Sequence, residues 1–149
     1  MDFSLPDELT AGADRRGNEY GWRVEAFPLA IAVAPGLGYA CYGGQFQFRL
    51  ADGATCEMYW LQTDWCERGA AESWQDFAQR SCEHTLVQFK QILRTANFTK
   101  EARSFRYLEP LLDSGWDPTG DLVFVAYFET EKDWNQFQNE AQSSPRVQA

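Results

Sequence analysis

Residues 45–60, QFQFRLADGATCEMYW, constrain the fold more than any other stretch of the chain. Phe46, Phe48 and Leu50 alternate with Gln45, Gln47 and Arg49; beyond the turn, Ala54, Cys56, Met58 and Trp60 alternate with Thr55, Glu57, Tyr59 and Leu61. A period of two on both sides of Asp52-Gly53 specifies a β-hairpin with one face turned to a core. Parity then selects the connection. A two-residue loop sets Phe48 opposite Glu57 and Leu50 opposite Thr55, which mixes the faces. A three-residue loop, Ala51-Asp52-Gly53 with Gly53 left-handed, sets Phe48 opposite Cys56, Phe46 opposite Met58 and Gln47 beside Glu57. The three-residue loop is therefore expected.

A helix is predicted over Ala71–Ala96 to cover one face of this sheet. Trp74, Ala78, Cys82, Leu86, Phe89, Leu93 and Ala96, with Thr85 and Ile92, fall in one stripe, and Glu72, Asp76, Glu83, Lys90 and Arg94 face away. Ser73 is its capping residue and Asn97 its end. Leu122–Phe128, LVFVAYF, is apolar on both parities, the pattern of a central strand covered on two sides. Thr130 then caps a final helix whose buried stripe is Trp134, Phe137, Gln138 and Ala141.

Three segments are harder to place. Residues 1–21 carry no sustained period and read as an arm or an irregular lead-in. From Trp22 to Val33 the apolar residues alternate but change phase at Phe27-Pro28, which predicts a strand with a bulge or bend there. Thr99–Leu112 is read as a short helical turn at Thr99–Ala102 followed by a strand over Ser104–Leu108, with Pro110 barring continuation. Residues 143–149 form a polar tail that frays. With no repeat and no linker, the expected architecture is α+β: one globular domain, 1–149, in which a single layer of four to five largely antiparallel strands packs against a long amphipathic helix and a shorter C-terminal one.

Twenty-two acidic against 13 basic residues give a net charge of −9 with His84 neutral. That balance opposes the phosphate backbone of nucleic acid and favours a basic partner. Charge is also segregated. Residues 84–106 hold five basic groups against Glu101, a local +4, whereas residues 107–140 hold eight acids against Lys132, a local −7. Asp113, Trp116, Asp117, Asp121, Glu129, Glu131 and Asp133 are the leading candidates for a partner-binding face, with the carboxylates steering encounter and Trp116 as the aromatic anchor. Trp116 also suits a second role, as a loop anchor whose ring plugs the end of the core. A second candidate surface is Tyr59, Leu61, Asp64, Trp65 and Glu67, because Tyr59 and Leu61 lie opposite the core-facing row of the hairpin.

No catalytic constellation emerges. Cys41, Cys56, Cys66 and Cys82 form no CxxC pair, and one histidine at position 84 leaves no ordinary zinc spacing, so neither a metal nor a cofactor is expected. His84 and Cys82, two residues apart on the helix, diverge. The glycines of GLGYACYGG match no phosphate-cradling pattern. The N-terminal residues have neither the basic start nor the apolar core of a signal peptide, and no apolar run has membrane-spanning length, so the expected setting is the cytoplasm with free thiols. These observations lead to an expectation of a small acidic protein-binding domain, an inhibitor or immunity-like neutraliser of a basic partner such as a nuclease. The alternatives are a small-molecule-binding domain or small enzyme with a pocket between sheet and helices, and a homodimeric scaffold that buries its surplus aromatics.

Overall fold

The computed structural model describes residues 4–143. Its elements in chain order are α1 (Asp7–Thr10), β1 (Ala13–Arg16), β2 (Glu19–Arg23), α2 (Phe27–Val33), β3 (Tyr39–Arg49), β4 (Thr55–Gln62), α3 (Trp74–Thr95), α4 (Phe98–Arg103), α5 (Glu109–Asp113), β5 (Leu122–Thr130) and α6 (Glu131–Ser143). The five strands form one antiparallel sheet in the order β1-β2-β5-β3-β4.

The β3–β4 hairpin has the expected register. Phe46 pairs with Met58, Gln47 with Glu57 and Phe48 with Cys56, and Gly53 closes the loop at φ 96°. Beyond Met58 the register shifts, so that Gln45 pairs with Gln62. The alternation predicted for Trp60 is lost there, and its ring leaves the Phe46–Met58 row. Ser73 caps α3, its hydroxyl accepting from the Asp76 N–H at 3.1 Å. From α3, Trp74, Ala78, Cys82, Thr85 and Phe89 are buried, together with Phe77 and Ser81. Five rings make the centre of the core: Phe27, Phe46, Phe89, Phe98 and Phe124, with centroid separations of 4.7–5.5 Å between neighbours. β5 is central as predicted, pairing with β2 on one side and β3 on the other.

Four sequence expectations need correction. Residues 4–21 are not an arm; they contain α1, the β1–β2 hairpin and Leu9, which is buried with its carbonyl accepting from Trp22 Nε1–H at 2.9 Å. Phe27–Val33 is a helix and not the second half of a strand. Pro28 occupies its first turn, where a missing N–H costs no helical bond. The helix buries Phe27, Ala30 and Ile31, a three-to-four spacing, and leaves Leu29 75% exposed, which the alternation had placed inside. Ser104–Leu108 is not a strand: Arg106–Leu108 is a 3₁₀ turn that runs into α5, whose first turn accepts Pro110. Phe137, assigned to the buried stripe of α6, is 59% exposed. At the C-terminus, Ser143 ends α6, and residues 144–149 of the expected tail lie outside the described residues.

Phe27, Phe89 and Phe98 pack from their helices on the Phe46–Phe124 face of the sheet, and Trp134 of α6 joins Trp74, Phe77 and Ala40 in a second cluster. The other face is curled. β1 is three positions from β3, roughly 14 Å away on a flat sheet. Yet the Arg49 guanidinium donates to the Asp14 and Glu19 carbonyls, and Arg16 donates to the carbonyls of Leu50 (2.8 Å) and Ala54 (3.1 Å) at the opposite hairpin. This closure buries Gln47 and Arg49 on the face opposite Phe46 and Phe48. Gly21 makes it sterically feasible, since a Cβ there would stand 2.9 Å from Arg49 Cζ and 2.8 Å from Val123 Cγ2.

Candidate functional site

The residues of the leading candidate face are split between two ends of β5. Asp113, Trp116, Asp117 and Asp121 precede the strand, and Glu129, Glu131 and Asp133 stand at its far end, roughly 25 Å away at strand rise. Most of these groups have internal partners. The Trp116 ring packs edge-on against Phe48 at 5.9 Å, half-buried, while its Nε1–H donates to Asp121 Oδ2 at 2.8 Å. Asp117 accepts from the N–H (3.1 Å) and hydroxyl (2.8 Å) of Thr119, capping the 3₁₀ turn Pro118–Asp121. Glu131 pairs with Arg68 at 2.9 Å. The Glu129 carboxyl is pushed up by burial and, to a smaller degree, by the charge of Asp133.

The second candidate surface is presented differently. Tyr59, on β4, is 66% exposed, and Trp65, in the loop that follows, is 60% exposed. Asp64 and Glu67, in the same loop as Trp65, are exposed, whereas Leu61 is turned by the register shift to pack partly against the core. Trp60, which the alternation had placed inside, joins this surface. Its ring stacks on Phe105 at 5.8 Å, meets Tyr59 edge-on at 5.1 Å and donates from Nε1–H to Glu101 Oε2 at 2.7 Å.

Two arginines fix the loop that carries Trp65. Arg80 grips the Glu72 carboxylate with both Nε–H and a terminal N–H at 2.8 Å and also donates to the Glu67 carbonyl at 2.6 Å. Arg68 lies over the rings of Trp74 and Trp134, 5.3 and 5.4 Å from their centroids, and donates to the Glu72 carbonyl at 3.1 Å. The Asp64 N–H donates to Gln88 Oε1 at 2.6 Å, and the amide nitrogen of that glutamine stands 2.7 Å from His84 Nε2. His84 is thus a half-buried helix residue held by Gln88, away from Cys82. An ordered loop offers its aromatic side chain without the entropy cost that a floppy one carries into binding.

The Glu72 clamp makes one pH dependence. Hydrogen bonds from Arg80, then from the Gly69 N–H, hold the Glu72 carboxyl down to about 2 from an ordinary 4.5. A carboxyl depressed in the folded state contributes stability above its unfolded value and loses it as pH falls through the folded one. The wild-type protein should therefore exceed Glu72→Gln in urea midpoint above about pH 5, and the difference should vanish by about pH 2. A constant difference across that range would dissociate the clamp from stability.

The thiols and the open sheet face offer less chemistry. All four cysteines are free, and burial pushes Cys41 up to about 11 and Cys82 higher still. No group of three or more metal-ligating side chains converges among the described residues. A cleft of about 340 Å³ on the curled face is lined by Asp14, Arg23, Arg49, Asp121 and Val123, together with glycines. Its floor, Arg49, is committed to the Asp14 and Glu19 carbonyls and to Gln47 Oε1. This cleft opens on the sheet face opposite the Phe46–Phe124 core, whereas in the alternative of a small-molecule-binding domain or small enzyme the pocket lies between sheet and helices. No helix of the described residues is long and apolar enough to cross a membrane. Comparison with known families, curated proteins and solved structures finds no match.

Proposed function

We propose that this chain is a protein-binding domain that captures a basic protein through the surface of Tyr59, Trp60, Trp65, Asp64 and Glu67. The observation that carries this reading is two large aromatic side chains left more than half exposed, Tyr59 on β4 two residues from exposed Glu57 and Trp65 in a loop with exposed Asp64 and Glu67. Aromatic anchors supply most of the energy of a protein interface once desolvated, and the charges around them steer encounter. The Trp116 loop supports the reading less well, because its ring and two of its carboxylates already have internal partners. Neutralisation of a basic enzyme such as a nuclease is the form of the function that the net charge of −9 suits.

The test begins with capture on the immobilised full chain, identification of the retained basic protein and purification of that partner for surface plasmon resonance. Tyr59→Ala and Trp65→Ala should each raise the dissociation rate by about 30-fold, the equivalent of about 2 kcal/mol. Asp64→Asn combined with Glu67→Gln should lower the association rate and flatten its salt dependence, with dissociation nearly unchanged. Unchanged kinetics in all these variants would move the interface off this surface.

A further inference from the structure

We propose that the free edge of β4 receives an extended, basic segment of the partner as a sixth strand. The inference rests on the protein-binding reading and specifies its mode. In the sheet order β1-β2-β5-β3-β4, β4 has a strand neighbour on one side only. The hydrogen bond from the Leu50 N–H to the Ala54 carbonyl at 2.9 Å identifies Leu50 and Ala54 as a hydrogen-bonded pair, so by antiparallel alternation Cys56 and Met58 also turn their main-chain groups toward β3. Thr55 and Glu57 point theirs the other way, and so does the N–H of Tyr59, which shares a peptide with the Met58 carbonyl. Three N–H and two C=O groups thus stand in a row along the open edge, the arrangement that β-strand addition uses.

The side chains decide the occupant. Between Leu50 and Glu67 the chain carries Asp52, Glu57, Asp64 and Glu67 and no lysine, arginine or histidine. All four carboxylate residues are exposed. On the outer face an added strand sets its residues beside Thr55, Glu57 and Tyr59, where a lysine or arginine pairs with the Glu57 carboxylate and an arginine also stacks on the Tyr59 ring. A second copy of this chain fits poorly. The symmetric pairing centred on this row sets Glu57 opposite Glu57 of the second copy, between two chains of net charge −9.

Panning a library of random linear peptides against the full chain supplies the probe. The selected peptides should alternate basic residues, and the tightest is then synthesised in two forms, N-methylated at alternate residues along one edge or along the other. Strand addition requires only one edge to bond β4, so one form should lose about tenfold or more in affinity and the other should bind like the parent. Glu57→Gln, whose amide oxygen can still accept from the buried Gln47 Nε2–H (3.3 Å in the wild type), should weaken the parent peptide measurably while leaving the urea midpoint in place. Equal binding by both methylated forms overturns strand addition, and if Tyr59→Ala or Trp65→Ala still weakens the parent, the binding surface stands. Peptides indifferent to both methylation and these aromatic variants, or the absence of any selected binder, overturn the mode and the surface together. A concentration-dependent dimer in sedimentation that the parent peptide dissociates would give the edge to a second copy instead.

Discussion

Gly44→Ala should be the most damaging small substitution in the chain. Gly44 lies where β3 changes register against β5, between the Cys41–Phe128 and Gly44–Ala126 pairs. A Cβ built on it would stand 2.1 Å from the Val125 carbonyl oxygen and 2.8 Å from two ring carbons of Phe124. The first obstacle is backbone of the central strand and cannot swing aside. Gly44 is also held from its other side, because its N–H donates to the Thr63 hydroxyl and its carbonyl accepts from the Thr63 N–H, both at 2.9 Å. Admitting one methyl means separating β3 from β5 or breaking the Thr63 pair. The expected loss is about 3 kcal/mol or more in urea unfolding, at the upper end of overpacking costs. Gly36→Ala is the control: a Cβ there meets nothing within 4 Å, and the change should stay within about 0.5 kcal/mol. A Gly44→Ala protein as stable as this control would show that β3 and β5 do not approach closely at this position.

Phe89→Ala should cost about 3–5 kcal/mol, because it removes the one ring that α3 contributes to the five-ring centre. Phe89 is fully buried, 4.8 Å from Phe27, 5.1 Å from Phe124 and stacked on Phe46 at 5.5 Å. Its neighbours project from a helix and two strands whose backbones cannot all close in on the vacated space. Phe46→Ala opens the same cavity from the sheet side, so the double variant should lose less than the two single losses added, a coupling that a double-mutant cycle measures. On the same helix Val87 is mostly exposed, and Val87→Ala should stay within about 0.5 kcal/mol. Equal losses at Phe89 and Val87 would mean that α3 does not cover the sheet with the face assigned to it.

The parts of the fold that were legible from sequence are those where one period dominates. The β3–β4 register followed from parity because a shift by one residue would have put Glu57 opposite Phe48, and α3 followed from a stripe more than five turns long. The segment 27–33 was misread because FPLAIAV is apolar at nearly every position, and a run without polar markers carries neither period. Proline misled twice in the same way. Pro28 and Pro110 were treated as breakers, yet each stands in the first turn of a helix, where proline is at home. The β1–β2 hairpin was missed because its four- and five-residue strands hold charged groups, Asp14, Arg15, Arg16 and Glu19, that a period-two search discounts. At the candidate surface, Tyr59 and Trp65 were legible as apolar groups with no place in the core. Trp60 was not, since its exposure depends on a register shift that only the pairing of Gln45 with Gln62 reveals.

The position of β5 in the sheet governs the order in which this fold can assemble. The strand that fills the middle slot is the last of the five to be synthesised, and it alone carries ladders to both hairpins. Until residues 122–130 emerge, the β1–β2 and β3–β4 hairpins have no ladder between them, and the inner edges of β2 and β3 remain open to whatever strand arrives first. Every pairing that completes the sheet spans roughly 75 to 105 residues of chain, the long loop closure that slows folding. Any hairpin or helix that forms before residues 122–130 emerge therefore waits unjoined, and the final strand acts as the wedge that converts these pieces into one sheet.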